Sequence, residues 1–92
     1  MFTAPWCAVC RRAHAFLRAN GLHCVDRDIE SDLAARRELK QRTGRTSIPT
    51  FDIDGQLLEP GFSERGVERA VAQSVERRLG VTGLSIQRGA TR

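Results

Sequence analysis

The sequence lacks long apolar runs and has few cysteines. No apolar stretch approaches the ~20 residues that cross a membrane, and the first residues show neither the apolar core nor the cleavage site of a secretion signal. Three cysteines are an odd number, unlike the disulfide framework of a small secreted domain. We therefore expect a soluble cytoplasmic protein in which a close cysteine pair serves catalysis or metal binding.

The chain also has little net charge outside its last residues. Its formal net charge is +4, but Arg88 and Arg92 lie near the C-terminus, and residues 1–79 carry 13 basic against 11 acidic groups, a net +2. The two signs are interleaved, as in the Arg-Arg-Glu-Leu-Lys run of residues 36–40, which indicates a solvated helix face. We expect a monomer whose partners include neither nucleic acid nor a membrane.

Ninety-two residues are enough for one small domain. Apolar periodicity and turn residues predict a short strand, a helix, a strand, a helix, a hairpin and a helix. The predicted elements are a helix over 7–20, a strand over 22–29, a helix capped by Ser31 and ending at Thr43-Gly44, strands over 50–53 and 56–59, and a helix capped by Ser63. We expect an α/β (α+β) domain of residues 1–79 and a flexible tail of residues 80–92.

Several apolar side chains are predicted to lie inside this domain. Phe16, Phe51 and Leu57 are expected in the core, and Val75 on the apolar face of the last helix. Cys24 is expected to be a small buried thiol and not a third redox partner.

The stretch FTAPWCAVC, residues 2–10, places two cysteines three residues apart at the start of the first predicted helix. Because the thiolate is the attacking species in thiol exchange, a reactive cysteine needs a pKa below the ~8.5 of a free thiol. The N–H groups and the positive dipole end of a helix N-terminus favour the thiolate of Cys7. Cys10, one turn later, is placed to attack a mixed disulfide on Cys7. We predict Cys7 as the nucleophile and Cys10 as the resolving cysteine.

Neighbouring residues are predicted to assist the pair. Arg11 and Arg12 add positive charge within one helical turn, and Trp6 is expected to form a partly exposed platform that shields the sulfur and touches the partner. Pro49 stands at the entry of a predicted strand, where a cis Ile48–Pro49 bond would expose neighbouring backbone to an extended ligand.

Residues Phe2 to about Leu79 resemble the thioredoxin superfamily, and in size and element order they resemble the glutaredoxins. The resemblance rests on CAVC at the first helix, SIP in place of the family's Thr-Val-Pro loop, DIDG at the hairpin and PGFSE before the last helix. It implies a thioredoxin-like fold with a central mixed sheet and helices on both faces. In this chain the first strand of that sheet is expected to be very short or truncated. It also implies a dithiol oxidoreductase that reduces protein disulfides or glutathione mixed disulfides.

The same resemblance implies the site residues. The cysteine pair corresponds to the family's nucleophilic and resolving cysteines, the SIP loop to a backbone clamp whose proline is cis, and the GFS turn to the loop that meets the amino-acid end of a ligand. The predicted substrate-binding set is Trp6, Arg11, Ser47, Ile48, Pro49, Gly61, Phe62 and Ser63.

The resemblance leaves two electron donors open. Many glutathione-binding members have a lysine three positions before the first cysteine, where this chain has Ala4, and an aromatic residue within the motif, where it has Val9. PGFSERGVERAV is instead similar to the glutaredoxin-like redoxins that serve ribonucleotide reductase and take electrons from thioredoxin reductase. We expect no bound cofactor, glutathione as co-substrate, and glutathione or thioredoxin reductase as the electron donor.

Two other interpretations of the pair stay open. A C-x-x-C motif can be half of a zinc site, with His14, His23 and Cys24 as further ligands. The resemblance to glutaredoxins also implies the possibility of an iron–sulfur cluster bridged between two monomers through Cys7 and glutathione. Alternatively, the domain binds partners without turnover, in which case the pKa of Cys7 would be that of a free thiol.

The segment before the pair is short for such a fold. In glutaredoxins the first strand is paired on both sides, yet only residues 1–3 can supply it here, which would leave backbone groups of its neighbours unpaired. We expect either that the natural start lies several residues upstream or that another segment, such as Leu84 to Gln87, lies against the gap.

Overall fold

The computed structural model describes residues 1–80 and contains the elements in the predicted order. These are β1 (Phe2–Thr3), α1 (Ala8–Ala19), β2 (Arg27–Asp28), α2 (Leu33–Thr43), β3 (Asp52–Ile53), β4 (Gln56–Leu57) and α3 (Glu64–Leu79). The predicted tail and the predicted position of Leu84 to Gln87 lie outside the described residues. The boundary between domain and tail therefore stays a prediction. No helix of residues 1–80 is long and apolar enough to span a bilayer.

The strands form two small two-stranded sheets, β1–β2 and β3–β4, where one central mixed sheet was predicted. Phe2 of β1 pairs in parallel with Arg27 of β2 and forms an antiparallel bridge with Thr50. Reciprocal hydrogen bonds of 2.9 and 3.3 Å join the backbones of Phe2 and Thr50. β3 and β4 form the antiparallel hairpin around Asp54-Gly55. Phe2 therefore occupies an interior position between two neighbouring segments.

Helices cover both faces of these strands. Met1 and Phe2 are consecutive in an extended segment, so their side chains point to opposite faces. Met1 lies in an apolar cluster with Leu17 of α1 and Val67 of α3, whereas Phe2 lies in a second cluster with Leu39 of α2. The domain is thus layered, with α1 and α3 on one face and α2 on the other.

Each helix begins at a side-chain cap. The Ser63 hydroxyl accepts a 3.1 Å hydrogen bond from the Gly66 N–H at the start of α3, as predicted. At α2 the prediction of Ser31 is wrong by one residue. The Asp32 carboxylate accepts the Ala35 N–H at 3.1 Å and is the cap, while Ser31 lies in the preceding turn.

The strands are shorter than predicted. Of the strand expected over 22–29, only Arg27–Asp28 forms regular strand, and of that expected over 50–53 only Asp52–Ile53. β4 is likewise limited to Gln56–Leu57. Because β1 is only two residues long, it offers few partners to the segments on either side. The apolar pattern predicted where these strands lie. The number of residues that form regular strand depends on how much backbone the neighbouring strand offers for hydrogen bonding.

Three burial predictions are corrected. Cys24 is half-buried and lies before β2, where its Sγ accepts a 3.5 Å hydrogen bond from the Met1 amino group. Leu57 is also half-buried, at the edge of the α2 cluster. Val75 is 38% exposed, whereas the adjacent Ser74 is buried and bonds to Asp54.

The hairpin is tied to α3 through Asp54. Its carboxylate accepts hydrogen bonds from Arg78 at 2.8 and 3.3 Å and from the Ser74 hydroxyl at 2.9 Å. The Arg78 bonds, followed by the Ser74 bond, lower the pKa of Asp54. These contacts place the C-terminal half of α3 beside the hairpin tip.

We expect Asp54→Asn to make the domain less sensitive to acid. Because the pKa of Asp54 is lower in the folded chain, its stabilising contribution is present above its ordinary pKa and is lost as the pH falls through the folded value. The native chain should therefore lose more stability than Asp54→Asn between pH 7 and about pH 3. Asparagine tolerates the positive φ of 56° at this position.

Urea unfolding at both pH values measures this difference. Glu59→Gln is the matched control. Because the Glu59 side chain is 95% exposed, the acid response of this variant should equal that of the native chain. An acid response of Asp54→Asn equal to that of the native chain would contradict the assignment.

Candidate active site

Cys7 occupies the N-cap position of α1. Its backbone is extended, with φ −85° and ψ 105°, and its Sγ accepts a 3.1 Å hydrogen bond from the backbone N–H of Cys10. The loop before it closes through a 3.2 Å hydrogen bond from the Cys7 N–H to the Ala4 carbonyl. The sulfur of Cys7 therefore lies at the end of the helix where free N–H groups and the positive dipole favour a thiolate.

Cys7 and Cys10 are joined as a disulfide. Their Cα atoms are 5.2 Å apart, within the separation that disulfides require. Cys7 is 6% exposed and Cys10 is 1% exposed. The pair can thus hold two electrons reversibly as a dithiol or a disulfide, and Cys7 is the more accessible member.

Trp6 and Arg11 flank the pair in different ways. Trp6, which directly precedes Cys7, is 64% exposed, and its predicted role as a platform stays a prediction. The Arg11 guanidinium donates a 3.2 Å hydrogen bond to the Pro5 carbonyl. This bond joins Arg11 to the loop that leads into the cysteines, and its predicted substrate-binding role stays a prediction.

The proline loop is held near the same cluster. The Ile48–Pro49 bond is cis, and Pro49 is fully buried. Ile48 packs against the apolar cluster that includes both cysteines. The Ser47 carbonyl accepts a 2.7 Å hydrogen bond from the hydroxyl of Thr50, a buried residue that the sequence did not mark as part of the site.

The turn before α3 is tied to the proline loop. The Gly61 N–H donates a 2.8 Å hydrogen bond to the Pro49 carbonyl. Phe62 is half-buried, and its ring packs against Phe16 and Phe51 with centroids 5.6 and 6.2 Å apart. Phe62 thus contributes to the core, and Ser63 to the cap of α3. The predicted ligand-contacting roles of these residues stay predictions.

Two of the possible further metal ligands have other partners. His14 Nε2 lies 2.9 Å from the carboxylate of Asp26, and Cys24 lies beside Met1. Within residues 1–80, no group of three or more histidine, cysteine or acidic side chains could hold a metal ion. Nothing in the described part of the chain therefore favours the zinc interpretation.

The part of the chain that forms this site is similar to a known protein family. The glutaredoxin family model matches residues 1–58, which include the cysteine pair and the cis-proline loop. The chain belongs to the glutaredoxin family. This membership gives the cysteine pair a thiol–disulfide oxidoreductase-like role.

Curated relatives and a solved structure agree with the family. This glutaredoxin is 36% identical over 58 residues to glutaredoxin 3 of Escherichia coli K12, a match that covers 63% of the chain and 70% of the relative. It is 21% identical over 71 residues to an uncharacterised glutaredoxin-like 8.6 kDa protein in the rubredoxin operon of Clostridium pasteurianum, covering 77% and 93%. The crystal structure of a mutant thioredoxin-like protein superposes with a TM-score of 0.70 and 28% identity, covering 76% and 88%. The glutaredoxin therefore has the predicted thioredoxin-like fold.

Proposed function

We propose that this glutaredoxin is a dithiol oxidoreductase that reduces protein disulfides or glutathione mixed disulfides. The observation that carries the proposal is the position of Cys7, whose sulfur accepts the N–H of Cys10 at the N-terminus of α1. The buried Cys10 lies one turn away, at a distance from which it can close a disulfide with Cys7.

The reaction consists of two exchanges. The Cys7 thiolate attacks one sulfur of the substrate disulfide, forms a mixed disulfide and releases the other substrate sulfur as a thiolate. The Cys10 thiolate then attacks the Cys7 sulfur, forms the Cys7–Cys10 disulfide and releases the second substrate thiolate. Two electrons pass from the protein to the substrate, and each released thiolate takes a proton from water.

An external donor must then return two electrons to the Cys7–Cys10 disulfide. Glutathione does this as two molecules that leave as oxidised glutathione, whereas thioredoxin reductase transfers both electrons directly. We propose a monomer that acts in the cytoplasm, holds no resident cofactor and contacts its partners through Trp6, Arg11, the 47–49 loop and the 61–63 turn. The substitution of Ala4 for the lysine of many glutathione-binding members supports thioredoxin reductase as the donor.

A coupled assay tests activity and donor together. The chain is incubated with a disulfide-containing protein, first with glutathione and glutathione reductase and then with thioredoxin reductase, while NADPH oxidation is followed. We expect chain-dependent NADPH oxidation with at least one donor, and the faster reaction identifies the physiological class. No chain-dependent oxidation with either donor would contradict the proposed function.

A further inference from the structure

A cleft of about 260 Å³ opens beside the buried member of the cysteine pair. Cys10 and His14 of α1 line it, together with Asp26, which lies just before β2. Of the predicted substrate-binding residues, Arg11 alone is among its lining residues. The cleft, which we call the Cys10 cleft, is therefore largely separate from the predicted partner surface.

The side chain of His14 is directed toward Cys10. Four residues separate the two on α1, so they share a helix face, with Cβ atoms about 5–6 Å apart. Because helix side chains lean toward the N-terminus, the imidazole inclines over the turn that carries Cys10. A water molecule takes about 30 Å³ of liquid volume and needs polar partners, and the Cys10 cleft offers both. One water can therefore connect the imidazole and the thiol.

Asp26 orients the imidazole of His14. The His14 Nε2 lies 2.9 Å from the Asp26 carboxylate. A carboxylate only accepts hydrogen bonds, so Nε2 carries a proton and donates it to this bond. The Nδ1 atom of the neutral imidazole then keeps its lone pair and can accept a proton. The negative charge of Asp26 favours the imidazolium that results.

Cys10 has more need of a proton acceptor than Cys7. The second exchange of the proposed function requires the Cys10 thiolate, yet Cys10 is buried in the apolar cluster of the core. Apolar surroundings favour the protonated thiol. The hydrogen bond from the N-terminus of α1 goes to the sulfur of Cys7. A base beside Cys10 would therefore accelerate the second exchange.

We propose that His14, positioned by Asp26, accepts the proton of Cys10 through water in the Cys10 cleft. This inference rests on the proposed function. The Cys10 S–H bond breaks, its proton reaches Nδ1 of His14, and the thiolate attacks the sulfur of Cys7. The mixed disulfide breaks as the Cys7–Cys10 disulfide forms, and the substrate leaves as a thiolate with the electron pair. The imidazolium then returns its proton to water, from which the substrate thiolate takes one.

Other charged or titratable groups also lie around the imidazole. Those lining the Cys10 cleft and the adjoining cleft on the far side of His14 are Arg11 and Arg18 of α1 and His23, Cys24, Asp26 and Asp28 of the segment that leads into β2. Arginine and aspartate side chains keep their charge between pH 7 and about pH 9. The test must therefore control for the imidazole of His23 and the thiol of Cys24.

A rapid-mixing experiment separates the two exchanges. The reduced full chain with Cys24→Ser is mixed with an equimolar aromatic disulfide, which releases one coloured thiolate when Cys7 attacks and a second when Cys10 resolves the adduct. In His14→Gln the side chain can still donate to Asp26 but cannot accept the proton. We expect an unchanged first release and a second release at least about tenfold slower at pH 7. His23→Gln is the matched control and should change neither release.

The pH dependence distinguishes proton transfer from a structural effect. As the pH rises to about 9, more of the Cys10 thiol ionises without a base, so the deficit of His14→Gln should shrink below about threefold. Asp26→Asn keeps an acceptor for the imidazole but removes the charge. We expect this variant to slow the second release at pH 7 by about two- to fivefold.

Three results would overturn the proposal. They are a second release in His14→Gln as fast as in the parent chain at pH 7, an equal deficit at pH 7 and at about pH 9, and an equal deficit in His23→Gln. A missing first release in the parent chain would instead contradict the proposed function, because that release reports the attack by Cys7 alone.

Discussion

Cys7→Ser is expected to abolish disulfide reduction, lowering turnover by roughly a thousandfold or more. A serine hydroxyl can neither attack a disulfide at neutral pH nor form a disulfide with Cys10. Serine is itself a good N-cap, so α1 should keep the cap that the Cys7 sulfur now provides through the Cys10 N–H. The loss should therefore reflect chemistry and not unfolding.

The coupled NADPH assay measures this effect, with circular dichroism as the check on folding. Cys24→Ser is the matched control, because Cys24 is the remaining cysteine and lies outside the pair. We expect this control to retain native turnover. Full activity in Cys7→Ser, or an equal loss in Cys24→Ser, would contradict the role of Cys7.

Leu39→Ala is expected to destabilise the domain by about 2–5 kcal/mol. Leu39 is fully buried, in the cluster that joins α2 to Phe2 and Ile29. Truncation removes buried methyl groups and leaves a cavity, because close-packed neighbours relax only in part. In a domain of 92 residues with marginal stability, such a loss is a large fraction of the total.

Urea unfolding measures this loss, and the same helix offers the control. Leu33 also lies on α2 but is 62% exposed, so Leu33→Ala should change the free energy of unfolding by no more than about 0.5 kcal/mol. Similar losses in the two variants would show that α2 does not pack on the strands as described.

Local sequence signals predicted the helices well. The Ser63 cap and Gly80 define α3, and Asp54-Gly55 defines the hairpin, because capping and turn preferences act over a few residues. The cap of α2 is Asp32 and not the predicted Ser31. Serine and aspartate both accept the capping hydrogen bond, so N-cap preferences do not distinguish between these neighbouring residues. Strand lengths could not be predicted, because they depend on a partner elsewhere in the chain.

In the candidate site, too, features within one helical turn could be predicted from the sequence, whereas contacts between distant segments could not. The Cys7–Cys10 pair lies on one helical turn, so its spacing could be recognised from the sequence alone. The hydrogen bond between Pro49 and Gly61 and the approach of Phe62 to the core connect distant segments. Only the family resemblance indicated that the proline loop and the turn before α3 belong together. Thr50 carried no sequence signal, because a threonine at a strand entry is common in any fold.

Trapping the reaction intermediate tests the proposed chemistry most directly. Reduced Cys10→Ser is mixed with a disulfide-containing protein, and the products are separated without reductant and mapped by mass spectrometry. We expect a mixed disulfide between Cys7 and the substrate to accumulate, because no resolving thiolate remains, whereas the native chain should yield reduced substrate and the Cys7–Cys10 disulfide. A substrate adduct on Cys24, or no adduct on Cys7, would contradict the assignment of Cys7 as nucleophile and Cys10 as resolving cysteine.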